Sequence, residues 1–195
     1  EAEIRFLLDT LNPGLRTPVR RDQVRGAYAG LRPLVGTDAA STADISRRHL
    51  VALSDGGFVN VLGGKLTTYR KMAEDAVDRA VALAALPVGP SRTARLPLVG
   101  AIAAPWPGRG SLGWRYGAEA EGILARARCA DPRAQVAPGL DITRAEVEFA
   151  VRAEGALTAD DVLDRRTRIG LVDDDRIRAH DAVTSLVAET LADLA

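Results

Sequence analysis

One short stretch constrains this chain more than any other. Gly63-Gly64-Lys65-Leu66-Thr67-Thr68 stands between a β-prone run and a long amphipathic one. Upstream, His49 to Ser54 and Phe58 to Leu62 flank Asp55-Gly56-Gly57, the composition of a hairpin turn. Downstream, Met72, Ala76, Val77, Ala80, Leu83 and Ala84 share one face, which predicts a helix over Thr67 to Leu86. Two glycines at the junction let the backbone take dihedrals that side chains disfavour, and let a flat group approach closely. The predicted order is strand, glycine turn, helix.

A lysine after two glycines invites a phosphate-loop reading, which the spacing rejects. That loop needs glycine, four residues, Gly-Lys and then Ser or Thr. Val59 stands where the first glycine belongs, and Leu66 follows the lysine. The plain alternative is a turn that only lets a strand meet a helix. Taken by itself, Gly-Gly-Lys does not separate that reading from a binding turn.

The rest of the chain divides by pattern. Ile4, Leu7, Leu8 and Leu11 predict a first helix ended by Asn12-Pro13-Gly14, and Val24 to Arg32 predicts a short strand. Gly36 to Ser46 is rich in small and polar residues and predicts a loop. Five prolines and five glycines between Pro87 and Gly113 mark a boundary or a wrapped linker. Beyond it the pattern is helical. Leu112 to Arg128 predicts one helix, and Thr143-Arg144-Ala145-Glu146 is a capping-box sequence opening a second. Thr158-Ala159-Asp160-Asp161 predicts another start, and Asp174 to Leu194 a last helix. The expected fold class is α+β: residues 1–86 as the end of an α/β domain, 87–112 as linker, 113–195 as an all-α domain.

Composition excludes several function classes. With 26 basic and 26 acidic residues the formal charge is zero, which argues against a nucleic-acid binder. The run Arg165-Arg166-Thr167-Arg168 is flanked by Asp160, Asp161, Asp164 and Asp173 to Asp175, so a solvated or ion-paired helix end is expected. One cysteine, Cys129, rules out an internal disulfide and suits a reducing cytoplasm. His49, His180 and Cys129 make no zinc pattern, so no metal site and no role for these three is expected. No apolar run approaches the roughly 18 residues that a membrane span needs. Glu1 to Leu8 is charged and unlike a secretory leader, and it falls directly on a helical pattern, as expected of an excerpt from a longer protein.

Tyr28-Ala29-Gly30-Leu31-Arg32-Pro33-Leu34-Val35, then Ile45-Ser46-Arg47-Arg48-His49, then Gly63 through Asp78 follow one another in a definite order and spacing. Together they resemble the end of the FAD domain in the bacterial FAD-dependent glycerol-3-phosphate dehydrogenases. Glu146 to Arg152 and Asp161 to Arg168 resemble that family's helical C-terminal domain. The likeness covers nearly the whole chain and is weakest in the linker.

The resemblance implies an enzyme oxidising sn-glycerol 3-phosphate to dihydroxyacetone phosphate, with hydride passing to FAD and electrons onward to quinone. It implies that Gly63, Gly64, Lys65, Leu66 and Thr67 line one side of the flavin. It places Arg32, Arg47 and Lys65 near the substrate, where a guanidinium fork suits a phosphate ester. Which of Arg47 and Arg48 faces the substrate stays open. The catalytic base is unknown and expected outside this chain. So is the glycine fingerprint that holds FAD pyrophosphate: Gly108-Arg109-Gly110-Ser111-Leu112-Gly113 has its spacing but lies in the linker rather than after a strand. The chain alone is therefore expected to be inactive. A cytoplasmic place, peripheral on the inner face of the membrane, follows from a quinone acceptor, and a homodimer is left open. The alternatives are another FAD-dependent oxidoreductase of the same fold, an amine or hydroxy-acid oxidase, and a non-catalytic helical interaction module.

Overall fold

A computed structural model describes residues 1–30, 48–101 and 111–195 of the chain. Arg32, Arg47, the Gly36 to Ser46 loop and the start of the linker Gly108-Arg109-Gly110 motif lie outside the described residues. The fold is α+β, and the described residues are mostly helical with one two-stranded sheet. The chain forms two compact units, Glu1–Tyr28 with Val99–Ala195, and Ala29–Leu98.

The larger unit owns the core. Helix α1, Ala2–Leu11, ends in a 3₁₀ turn at Asn12–Gly14 and buries no residue. Asn12 fastens the next loop, donating from Nδ2 to the Val19 carbonyl at 3.0 Å and accepting from the Val19 amide at 2.8 Å. Helix α3 spans Ser111–Tyr116, α4 Ala120–Arg126, α5 Arg144–Glu154 and α6 Asp173–Leu194. A single helix over Leu112 to Arg128 is thus corrected to two. Gly117 sits at φ +61° between them, where its Cα hydrogens face the Gly100 carbonyl; a Cβ there would come within 1.8 Å of that oxygen. The Ala118 amide donates to the same carbonyl at 2.9 Å, so the chain bends to satisfy Gly100.

The capping box forms as its residues predict. Thr143 precedes α5, and Glu146 accepts from the Thr143 amide at 2.7 Å and from its hydroxyl at 2.9 Å. Gly155 ends α5 in the left-handed region at φ +70°. The Thr158 start also forms, with Asp161 accepting from the amides of Leu157 and Thr158 at 3.0 Å; it opens a π-helical turn over Asp161–Arg166. Val147, Val162, Leu163, Val183 and Leu186 are the largest fully buried side chains. Each stabilises the unit by about 1.5–3 kcal/mol of apolar burial. They draw α5, α6 and the π-helical turn around one cluster, while Leu112, Ala120, Ile123 and Ala145 form a second with Tyr116 and Phe149 edge to face at 5.3 Å.

The expected strand from Val24 to Arg32 is not formed over its described part, 24–30. An extended segment becomes a strand only beside a free edge, and this one lies against a 3₁₀ turn instead. Gly26 packs on the Leu171 carbonyl so closely that a Cβ would stand 1.8 Å from the oxygen. Arg25 reaches Asp175 at 3.6 Å.

The smaller unit is a hairpin on a helix. Strand β1, His49–Leu53, pairs antiparallel with β2, Val59–Gly63, and His49 stands opposite Gly63. Gly57 takes φ +80° in the connection, as Asp55-Gly56-Gly57 leads one to expect. A 3₁₀ turn over Leu66–Thr68 then runs into α2, Tyr69–Leu83. No residue of either strand or of α2 is buried, and all of the buried core among the described residues falls between Leu112 and Thr190.

Candidate functional site

The glycine turn is built by its neighbours on both sides. Strand β2 delivers Gly63 at φ +69° and Gly64 follows at φ +83°, two successive residues in the region that side chains rarely enter. Lys65 returns to extended backbone at φ −135°. Thr68 then closes the turn on both sides: its hydroxyl donates to the Lys65 carbonyl at 2.9 Å and accepts from the Lys65 amide at 3.2 Å. The amides of Leu66 and Thr67 open the helical run and therefore have no partner within it.

A side chain at Gly64 would be strained by its φ and would have to displace Met72. A Cβ there would meet Met72 Sδ at 2.5 Å and His49 Cβ at 3.2 Å. Its backbone thus packs between His49 of the first strand and the flexible end of Met72 from the long helix. Lys65, Leu66 and Thr67 are exposed beside it, Leu66 with 87% of its surface free. Gly63, Gly64, Lys65, Leu66 and Thr67 share one turn at the head of α2. Such a turn suits the edge of a flat, electron-rich ring such as a flavin: the glycines bring no side chain of their own, and the helix head carries about half a positive charge. Among the candidate substrate residues only Lys65 is described; Arg32 and Arg47 are not.

Behind the turn lies a chain of charges that the sequence did not mark. His49 Nε2 is 2.7 Å from Asp75 Oδ2, and Lys71 Nζ is 2.8 Å from Asp75 Oδ1 and 2.7 Å from Glu74 Oε1. Arg70 completes it, bridging Glu74 at 2.5 Å and Thr93 Oγ1 at 3.1 Å. Lys71 and His49 hold the Asp75 carboxyl below its ordinary value, and the two carboxylates raise the Lys71 ammonium. The pairs at helical spacing, Lys71 with Asp75 and Arg70 with Glu74, are legible as i,i+4 neighbours. His49 and Asp75 are 26 residues apart, and only the fold brings them together.

Elsewhere the ionisable groups serve the scaffold. Buried Glu148 accepts from the Arg128 amide at 2.8 Å, the Cys129 amide at 2.8 Å and Arg152 Nε at 2.7 Å. Burial pushes the Cys129 thiol up to about 11, with the Glu148 carboxylate adding to it, which disfavours the thiolate at neutral pH. Within the arginine run, Arg165 meets Asp161 of the acidic flank at 2.9 Å, whereas Arg166 donates to the Glu154 backbone carbonyl at 2.7 Å, and flanking Asp160 and Asp164 pair with Arg176. Among the described residues no group of histidine, cysteine and carboxylate side chains could hold a metal, and no helix is long and apolar enough to cross a membrane.

Residues 91–193 match the family model for the C-terminal domain of alpha-glycerophosphate oxidase. Glycerol-3-phosphate dehydrogenase 1 of Mycobacterium tuberculosis H37Rv is 54% identical over 187 residues, covering 90% of this chain and 36% of its own length. Glycerol-3-phosphate dehydrogenase of Mycobacterium leprae is 39% identical over 191 residues, covering 88% of this chain and 32% of its own length. The mitochondrial glycerol-3-phosphate dehydrogenase of Mus musculus is 37% identical over 205 residues, covering 88% of this chain and 26% of its own. The chain therefore spans about a third or less of the relatives it matches. With more than half of its length matched by the family model, this chain belongs to the alpha-glycerophosphate oxidase family and carries its C-terminal domain.

Proposed function

We propose that this chain forms one wall of the flavin and substrate site in an FAD-dependent enzyme that oxidises sn-glycerol 3-phosphate to dihydroxyacetone phosphate and passes the electrons to quinone. The observation that carries the reading is the half-buried turn at Gly63 and Gly64, with both φ angles positive, exposed Lys65, Leu66 and Thr67 beside it and a helix opening after it. The chemistry a bound FAD would supply is that of a hydride acceptor for C2 of the substrate. The residues of this chain place and tune it. Gly63 and Gly64 let backbone meet the ring, and the Leu66 and Thr67 amides favour negative charge on it. Lys65 offers a mobile point charge to the substrate or the ring edge. Arg32 and Arg47 take the phosphate, for which a planar fork is the better partner. The base that removes the hydroxyl proton comes from outside this chain.

In this reading residues 1–86 complete the FAD and substrate domain, 87–112 link it to the helices, and 113–195 form the helical domain. The chain alone is inactive in this reading, because its G-x-G-x-x-G spacing at Gly108 to Gly113 falls in the proline-rich linker sequence and the fingerprint for FAD pyrophosphate belongs elsewhere in the enzyme. The exposed Leu50, Leu53, Phe58, Val61 and Leu62 of the hairpin region support this, since in the whole enzyme they would be covered. The complete enzyme works from the cytoplasm, peripheral on the inner face of the membrane where quinone resides.

The test is to mix the purified chain with FAD and follow flavin fluorescence, beside a dye-linked glycerol 3-phosphate assay on the chain and on the full-length protein. We expect no tight flavin and no turnover from the chain, and both from the full-length protein. Turnover by the chain alone overturns the account of a missing half. A full-length protein that holds flavin and oxidises an amine or an unphosphorylated hydroxy acid instead overturns the substrate.

A further inference from the structure

Most ion pairs of this chain need only a scaffold explanation; the one between His49 and Asp75 occupies a place where scaffold and site meet. His49 is the first residue of β1 and faces Gly63 across the hairpin. Its Cβ stands 3.2 Å from where a Gly64 side chain would begin, so the histidine backs directly onto the turn. Its Nε2 is held at 2.7 Å by Asp75, one helical turn along α2 from Lys71, which grips the same carboxylate at 2.8 Å. Glu74 and Arg70 extend the chain to Thr93. His49 and Asp75 are partly shielded, with 20% and 33% of their side-chain surfaces free, so the pair is neither a frayed surface contact nor a core bond.

We propose that His49 is a positioning residue for the flavin edge: with Asp75 it ties β1 to α2 immediately behind Gly64 and so sets the attitude of the Gly63-Gly64-Lys65 turn. The inference rests on the flavin reading of that turn. Its physical content is leverage. The hairpin and α2 bury no residue and hence have little apolar packing to fix their angle. A directed, charge-assisted bond then does what packing does elsewhere. Asp75 accepts from Nε2–H and so fixes the imidazole tautomer and ring orientation, as carboxylates do behind functional histidines. If the tie is cut, the turn and the amides of the helix head move relative to the ring, and stabilisation of the electron-rich reduced ring falls.

The experiment uses the flavin-loaded full-length protein and the variants His49→Gln, Asp75→Asn, Asp75→Glu and the double variant His49→Gln with Asp75→Asn. The flavin midpoint potential, visible spectrum, flavin content, kcat and KM are read for each. Expected are a more negative potential, an altered spectrum and roughly a tenfold to hundredfold loss of kcat for the first two variants, since small displacements at a reacting centre cost rates of that order. Asp75→Glu should recover most of the loss, and the double variant should be no worse than either single one. A melting temperature lowered with potential, spectrum and kcat unchanged makes the pair an ordinary strut and overturns the proposal. If His49→Gln does not fold, the contrast of Asp75→Asn with Asp75→Glu decides the question in the same way. A wild type that holds no flavin sinks the functional reading itself and the proposal with it; a flavin-loaded wild type with unaltered variants sinks the proposal alone.

Discussion

At the residue scale, the buried carboxylate Glu148 shows how a charge becomes tolerable inside a small helical domain. Only 2% of the residue is exposed, yet two backbone amides and the Arg152 guanidinium occupy its oxygens. Burial alone would raise its pKa, but Arg152 and the amides of Cys129 and Arg128 outweigh burial and hold the carboxyl below the ordinary 4.5. A folded pKa below the unfolded one adds stability that is present above pH 4.5 and is lost as the pH falls through the folded value. We therefore expect the melting temperature of the protein to fall on acidification below about pH 4.5, and Glu148→Gln to flatten that dependence. At neutral pH the same substitution should cost about 1–3 kcal/mol, read from urea unfolding followed by circular dichroism, because one or more amides lose a charged acceptor. An acid profile that Glu148→Gln leaves unaltered would assign the effect elsewhere. None of this was visible in the sequence, where Glu148 is one acid in an amphipathic run.

At the element scale, local rules decided whatever could be settled within one turn of chain. Thr143 and Glu146 are three residues apart, and the Glu146 carboxylate accepts from the Thr143 amide and hydroxyl where the pattern puts it. Gly155 ends α5 because φ +70° costs it nothing. Thr143→Ala should destabilise the helical unit by about 1 kcal/mol, and Gly155→Ala by a similar amount through its dihedral. Chemical denaturation measures both, and values near zero would mean that tertiary packing, not capping, holds α5. The hairpin was legible for the same reason: Asp55-Gly56-Gly57 supplies the turn and the flanking runs supply the strands. Local rules failed where a distant backbone intervened. Leu112 to Arg128 has a helical pattern, but Gly100 reaches across and bends it at Gly117. Val24 to Gly30 has strand composition, but Gly26 meets the Leu171 carbonyl rather than a sheet edge.

At the scale of the whole molecule, apolar burial is divided unequally. The clusters around Val147 and Leu186 and around Ile123 give the helical part a core of its own. The hairpin and α2 instead expose Leu50, Phe58, Leu62, Val77 and Leu83, and ion pairs such as His49–Asp75 stand in for packing. Local opening should therefore be cheap in one part and dear in the other. Trypsin under native conditions is expected to cut at Lys71 and Arg79 of α2 well before Arg144 and Arg152 of α5, with mass spectrometry identifying the order. Cleavage in α5 first would contradict the division.

Elements with short-range causes were written in the order of residues: the glycine turn, the hairpin, the α5 cap, the α+β class and the family likeness. The same order placed Gly63, Gly64, Lys65, Leu66 and Thr67 on one turn, because consecutive residues cannot be far apart. Folding was needed to bring His49 to Asp75 across 26 residues, to give Glu148 its three donors and to rest Gly26 on Leu171. The physical reason is range. Dihedral preference and helical periodicity act within a few residues of their origin, while ion pairs, backbone contacts and burial depend on which distant segments the folded chain brings within a few ångströms.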